Sequence, residues 1–219
     1  MPRIVCISDT HGLHEALTVP DGDVFIHAGD MTLGGREQEV AAFAAWLAAL
    51  PHPHKIVIAG NHDWVFERTP ARARELLGDM TYLRDDGVHV AGLDIWGSPW
   101  QPWFYDWAFN LPRGKSLRER WDLIPDQTDV LITHGPPFGH LDSAPRPNAF
   151  GPDAGLDVEH VGCEELRLAL DRVRPRLHVF GHIHEGYGRD ALDGTVLVNA
   201  SNCDVDYRPV NPPIVVDLP

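Results

Sequence analysis

The sequence predicts an α/β fold, a two-sheet β-sandwich flanked by helices, with polar residues gathered where strands end. Three observations carry this expectation. Short apolar runs rich in Val and Ile each stop at a loop containing Gly or Asp, amphipathic helical stretches separate them, and the later part of the chain is more purely strand-like. Residues 4–8 (IVCIS) lead into Asp9-Thr10-His11, and residues 24–28 (VFIHA) into Gly29-Asp30. A helix is expected over 37–50, where Val40, Phe43, Ala44, Leu47 and Leu50 share a face and Pro51 ends the pattern. Residues 55–59 (KIVIA) run into Gly60-Asn61-His62-Asp63, and a short helix follows over 71–77. Strands at 88–90 and 93–97 and a helix at 117–123 precede residues 130–133 (VLIT), which run into His134-Gly135-Pro136-Pro137. A helix over 163–173 places Leu166, Leu170 and Val173 in register. Residues 177–180 (LHVF) then run into Gly181-His182-Ile183-His184, and strands at 196–199 and 214–217 complete the pattern. The strand-only pieces favour two sheets over one wound sheet. The aromatic segment 99–114 and the long loop 135–162 fit no regular element, and long ordered loops are usually functional. With no linker or repeat, residues 1–219 are expected to form a single domain.

Composition narrows the function. The 219 residues hold 18 basic and 32 acidic side chains, a formal net charge of −14. Such a surface lacks the basic footprint of a nucleic-acid binder, so long nucleic acid is not an expected partner. No run of some 18 apolar residues occurs, and Met1-Pro2-Arg3 lacks the basic-then-apolar order of a signal peptide. The expectation is a cytoplasmic protein without a membrane partner. Cys6, Cys163 and Cys203 make neither a disulfide framework nor a CxxC pair, and both Cys6 and Cys163 read as structural thiols. Thirteen histidines are the unusual figure.

Five of those histidines stand at the strand ends. Asp9, His11, Asp30, Asn61, His62, Asp63, His134, His182 and His184 nearly all offer metal-binding atoms, and the carboxyl ends of strands in an α/β sheet gather at one edge. Mixed carboxylate, imidazole and amide ligands without thiolates suit Mn, Fe, Co or Zn in a working site. Asp9 with His11, and His182 with His184, stand two apart, a spacing at which both side chains can point the same way if the segment is extended. His27 and His178 lie inside strands and read as core residues donating to backbone carbonyls, whereas His52 and His54 read as solvated in a proline-rich turn. Residues 96–107 hold Trp96, Trp100, Trp103, Trp107, Phe104 and Tyr105. That segment suits a cleft wall able to stack a nucleobase, a packed loop core, or the interface of a homodimer. Asn110, Arg113, Arg146 and Tyr187 are candidates for contact with a phosphate or base.

The order Asp-x-His (9, 11), Gly-Asp (29, 30), Gly-Asn-His-Asp (60–63), Thr-His-Gly (133–135) and Gly-His-x-His (181–184) resembles the calcineurin-like metallophosphoesterase superfamily in full. Residues 56–62 (IVIAGNH), 109–116 (FNLPRGKS), 133–137 (THGPP), 161–163 (VGC), 177–181 (LHVFG), 184–188 (HEGYG) and 211–213 (NPP) are further similar to its small metallophosphoesterase-domain proteins known from vertebrate brain, a group akin to class III cyclic nucleotide phosphodiesterases. The resemblance implies the calcineurin-like fold with its metal site at the strand ends. It implies two divalent metal ions, Mn2+ first and Fe, Co or Zn as alternatives. One would take Asp9, His11, Asp30 and His184; the second would take Asn61, His134, His182 and the bridging Asp30. Hydroxide bridging the ions would attack phosphorus, His62 would protonate the leaving group, and Asp63 would orient His62. The implied activity is a dinuclear phosphodiesterase on small phosphodiesters, cyclic nucleotides first. Alternatives are a phosphomonoesterase or nucleotide phosphatase on the same site, or a non-catalytic nucleotide-binding protein. The last is disfavoured because His182 stands where some relatives carry glycine, which removes a ligand.

Overall fold

Alternation along the first strand explains the layering. Ile4 and Cys6 belong to a buried cluster that holds Ile26, Ile56, Ile95, Ile132 and Val179, while Val5 and Ile7 join another that holds Phe43, Leu47 and Leu77. One face of the strand therefore meets another sheet and the other meets helices, so every position is apolar. In the computed structural model, which describes residues 1–147 and 156–218, the elements in chain order are β1 (Arg3–Ile7), β2 (Val24–His27), α1 (Glu37–Ala49), β3 (His54–Val57), α2 (Trp64–Arg68), α3 (Pro70–Leu77), β4 (Thr81–Tyr82), β5 (Asp86–Val90), β6 (Leu93–Ser98), β7 (Gln101–Pro102), β8 (Asn110–Leu111), α4 (Lys115–Trp121), β9 (Val130–Thr133), β10 (Ser143–Pro147), β11 (Leu156–His160), α5 (Glu164–Val173), β12 (Leu177–Phe180), β13 (Gly188–Leu192), β14 (Thr195–Asn199) and β15 (Ile214–Asp217).

Two sheets form the sandwich. The first runs β15-β1-β2-β3-β4, parallel except for β15, and the second runs β13-β14-β12-β9-β6-β5, parallel at its centre. Phe25 and His27 of β2 lie against Trp46 and Phe43 of α1, with ring centroids 6.0 and 4.9 Å apart. On α5, Leu166 and Leu170 share a buried cluster with Leu131, Phe180 and Trp121. Parallel pairing sends the carboxyl ends of β1, β2, β3, β9 and β12 to one edge, as expected for an α/β fold.

Several elements differ from the sequence reading. Helix α2 has no counterpart there, because its five residues are too few to show a helical period, and neither has β4, of two residues, nor β13, whose run GRDAL carries no apolar alternation. The segment 99–114 contains the short β7–β8 pair, and the loop 135–162 contains an antiparallel ribbon of β10 with β11. Prolines in β10 hide its alternation, and the connecting residues 148–155 lie outside the described residues. His52 is buried rather than solvated: its Nε2–H donates to the Pro20 carbonyl (2.9 Å) and its ring packs on Phe25. Cys163 caps α5, its sulfur accepting the Leu166 N–H and the Trp121 indole N–H, and burial pushes its thiol up to about 12. Among the described residues no helix is long and apolar enough to cross a membrane.

The two strand histidines tie loops rather than carbonyls. His27 accepts the Gly29 N–H at Nδ1 (3.2 Å) and donates from Nε2 to Thr10 (3.0 Å). His178 donates from Nε2 to the Thr133 hydroxyl (2.8 Å), which itself donates to the Gly135 carbonyl.

This packing can be probed at two positions. A Cβ on Gly97 of β6 would stand 2.6 Å from Leu83 and 2.8 Å from Ile58. Gly97→Ala should therefore cost about 1–3 kcal/mol, read as a lower urea midpoint with an unchanged slope. Burial holds His178 down to about 3, well under the ~6.5 of an unfolded chain. Unfolded protein takes up that proton first, so stability is lost as pH falls from about 6.5 towards 3. His178→Gln, which keeps a donor to Thr133, should lose less stability than the parent between pH 6.5 and 4 in parallel melts.

Candidate metal centre

Each candidate ligand is carried past the end of a parallel strand on a tight, polar turn. Asp9 and His11 follow β1, Asp30 follows β2, Asn61 and His62 follow β3, His134 follows β9, and His182 and His184 follow β12. Asp9, His11, Asp30 and His182 have φ of 51°, 45°, 56° and 69°, the left-handed region that side chains avoid, so the extended segments expected for the two pairs are tight turns instead. Strain of about 1–3 kcal/mol per residue persists only where surroundings over-determine it, and it gathers at working sites. Close packing demands glycine at two neighbours. A Cβ on Gly60 would run into the Asp30 carboxylate, and one on Gly181 into Asp9 and Ser8.

The turns converge. Asp9, His11 and His184 offer ligand atoms within 4.8 Å of one another, and so do the sets Asp9–Asp30–His134 and His11–Asp30–His62. His184 Nε2 lies 3.5 Å from Asp9 Oδ1 and 3.3 Å from His11 Nε2. His134 Nε2 lies 2.8 Å from Asn61 Oδ1 and 3.4 Å from Asp30 Oδ2. The Asp30 Oδ1 is occupied by the His62 N–H (2.7 Å), which leaves Oδ2 to face the imidazoles. His182 sets its ring 5.0 Å from that of His134 and donates its N–H to Asp9, but its ring nitrogens belong to none of the three sets.

Backbone carbonyls fix ring orientation. A carbonyl only accepts, so the contacts of His134 with Ala28 (3.0 Å), His184 with Asp204 (2.8 Å) and His62 with Leu33 (2.8 Å) place a proton on each Nδ1. Each Nε2 is thereby turned to the cluster, the arrangement that orients metal-binding imidazoles. His11 lacks such a carbonyl, and its Nδ1 is buried without a partner among the described residues.

The charge balance is that of a cation site. Burial opposes the charges on Asp9 and Asp30, yet neighbouring imidazoles, His184 and His134 foremost, hold both carboxyls well below the usual range. Burial also lowers His134 and His184, but Asp30 for the first and Asp9 for the second outweigh it and lift each to about 9. His11 and His182, with burial dominant, fall to about 4 and about 3. Positive charge is thus drawn to this spot, and a donor set of carboxylates, imidazoles and an amide oxygen fits a divalent cation.

Asp63 corrects an expectation. It does not orient His62, which is held by Leu33. Its buried carboxylate instead accepts the N–H groups of Asp30 (2.9 Å), Met31 (3.3 Å), Thr32 (3.0 Å) and Gly60 (2.8 Å) and the Thr32 hydroxyl (2.7 Å). One anion therefore ties the turn after β2 to the turn after β3. Burial and the Asp30 charge push Asp63 up to about 6, and the donors from Thr32 and Gly60 limit that rise.

A cleft of about 480 Å³ opens over the cluster, walled by Pro102, Trp103, Phe104, Trp107 and Tyr207. Trp107 stacks on His62 with centroids 4.4 Å apart, while Trp100 is buried against Phe109, so the aromatic segment divides between cleft wall and loop core. Arg113 lines the cleft with its guanidinium bonded to the Gly162 and Val161 carbonyls and to Glu164. Asn110 braces the Phe104 and Tyr105 carbonyls, Tyr187 donates to Pro212, and the Arg146 side chain lies outside the described residues. Ser201, Asp204 and Tyr207 belong to no motif read from the sequence, although the run Asn199-Ala200-Ser201-Asn202 at the end of β14 repeats the polar signal of the other strand ends.

Separating Asp63 from His62 makes a prediction. Asp63→Ala strands buried N–H groups and should cost about 3 kcal/mol or more, whereas His62→Ala, which loses one hydrogen bond and the ring contacts with Trp107 and His11, should cost less, about 1–2 kcal/mol. Urea unfolding of both variants reads the difference.

Comparison with known proteins agrees with this geometry. Metallophosphoesterase domain-containing protein 1 of Homo sapiens is 49% identical over 241 residues, covering 99% of this chain and 71% of its own, and the Mus musculus protein of that name gives the same figures. The solved structure of TT1561 of Thermus thermophilus superimposes with a TM-score of 0.61 at 15% identity, covering 99% of this chain and 98% of that one, a likeness of fold. The calcineurin-like phosphoesterase family matches residues 2–186, the stretch that holds every candidate ligand, and the chain belongs to that family.

Proposed function

We propose that this protein is a metal-dependent phosphodiesterase that hydrolyses small phosphodiesters with two divalent cations, Mn2+ first, cyclic nucleotides being the first substrates to try. The observation that carries the choice of diester is the state of Arg113. It is the one Lys or Arg lining the cleft among the described residues, and both its terminal nitrogens are engaged, three of its five N–H donors going to two carbonyls and Glu164. A monoester dianion gains from a free guanidinium clamp, whereas a diester carries one charge and needs less. The aromatic walls of the cleft suit a planar, partly apolar group beside the phosphate.

Asp9, His11 and His184 would hold one cation, and Asn61, His134 and His182 the other, with Asp30 between them. Divalent cations held there supply positive charge to the phosphoryl oxygens and activate water near neutral pH. The chain's own part is preorganisation. Asp63 keeps Asp30 in register, and the Ala28 and Asp204 carbonyls keep the Nε2 atoms of His134 and His184 aimed inward. His62 presents Nε2 4.0 Å from Asp30 Oδ2, at the floor of the cleft, with its other nitrogen tied down. There it can deliver a proton to a departing alkoxide, a role that matters less when the leaving group is a phenol.

The test compares a generic phosphodiester with its matching monoester, using metal-stripped protein reloaded with Mn2+. Faster diester turnover is expected, with His182→Gly binding one ion fewer and losing that turnover. His62→Ala should lose about 10²–10⁴-fold on an alkyl leaving group and less on a phenol. Preference for the monoester would make the protein a phosphatase, and no turnover of either would leave a nucleotide-binding role.

A further inference from the structure

The segment that completes this site lies after residue 186, past every candidate ligand. Ser8, just after β1, and Ser201, just after β14, form an isolated parallel bridge that joins the two sheets beside Asp9. Ser201 is fully buried, and its hydroxyl lies 2.9 Å from Asp9 Oδ2 and 2.8 Å from Asn199 Oδ1. Asn199 Oδ1 already accepts the Ser201 N–H (3.1 Å), while its amide nitrogen donates to Leu141 and Ile183. The single hydroxyl proton therefore belongs on the charged acceptor, where the bond is stronger. The His182 N–H reaches both Asp9 oxygens (3.0 and 3.1 Å), so Oδ2 carries the extra donor and Oδ1 is the oxygen turned to His184.

The turn that follows acts on the same side. The Asp204 carbonyl receives the His184 Nδ1–H, and the Asp204 carboxylate is itself held by the N–H groups of Asp206 and Arg208 and by the Arg208 guanidinium (3.0, 2.9 and 2.7 Å). Tyr207, at φ 58°, sets its ring edge-on to His11 with centroids 4.7 Å apart and 5.7 Å from His184. The orienting contacts of His134 run instead to Ala28 and Asn61.

We propose that Ser201 and the Asp204–Arg208 turn are a one-sided positioning device that sets cation affinity at the Asp9–His11–His184 side of the site and not at the Asn61–His134 side. The inference rests on the two-cation reading above. Groups that orient metal ligands are typically worth about 10–100-fold in affinity.

The test is a calorimetric Mn2+ titration of metal-stripped parent, Ser201→Ala and Arg208→Ala. Arg208 is exposed, so its removal loosens the turn without opening the core. The parent should bind two ions. Ser201→Ala should weaken one by about 10–100-fold and leave the other within about threefold, and Arg208→Ala should weaken the same ion by a smaller factor. A two-ion parent with both variants unchanged, or with both ions weakened alike, overturns this inference alone. A parent that binds fewer than two ions overturns the two-cation reading and this inference with it.

Discussion

Asp9 and Asp30 are sealed carboxylates at the seam of two sheets, and burying such charges is tolerable only if opposite charge and hydrogen bonds meet them there. Much of the architecture follows from that demand. Five imidazoles are brought to the same place by turns that leave parallel strands, two on β12 alone. The left-handed backbone at four candidate ligands and the glycines at 60 and 181 are what close approach of these groups requires. Protons drawn to His134 and His184 give the cluster the character of a cation site.

Rigidity in the site comes mainly from backbone atoms meeting one buried anion or one ring nitrogen. Asp63 gathers donors from two turns, and the carbonyls of Ala28, Leu33 and Asp204 each take the Nδ1 proton of an imidazole. The side chains facing the cleft therefore have few rotameric choices left. That is what a catalyst needs when its work is to hold charge in place rather than to form bonds.

Above this rigid floor the walls are different in kind. Trp103, Phe104 and Tyr105 are more than half exposed, and Trp107 and Tyr207 set their rings 4.4 and 6.0 Å from the His62 imidazole. The opening is thereby separated from the charged floor: the loops 99–114 and 204–208 shape the mouth of the cleft while the strand ends supply the charge. The tied guanidinium of Arg113 belongs to the wall's scaffold, bridging the loop before α4 to the residues before α5.

Much of this was legible in the amino-acid order because it is local. Short Val- and Ile-rich runs ending in Asp, Asn or His declare a strand and what it carries, and the strands and helices read from them lie within a few residues of their places. Helix α2 and the proline-bearing ribbon β10–β11 escaped because five residues show no period and proline masks alternation. The sequence by itself determined which groups reach the site edge. Only the tertiary structure decided what holds them: the Ser201 hydroxyl meets Asp9 across 192 positions, Asp63 serves backbone amides rather than His62, and Asp204 acts through a carbonyl. A carbonyl is the same at every residue and a hydroxyl has no fixed partner, so such contacts exist only once the chain has folded.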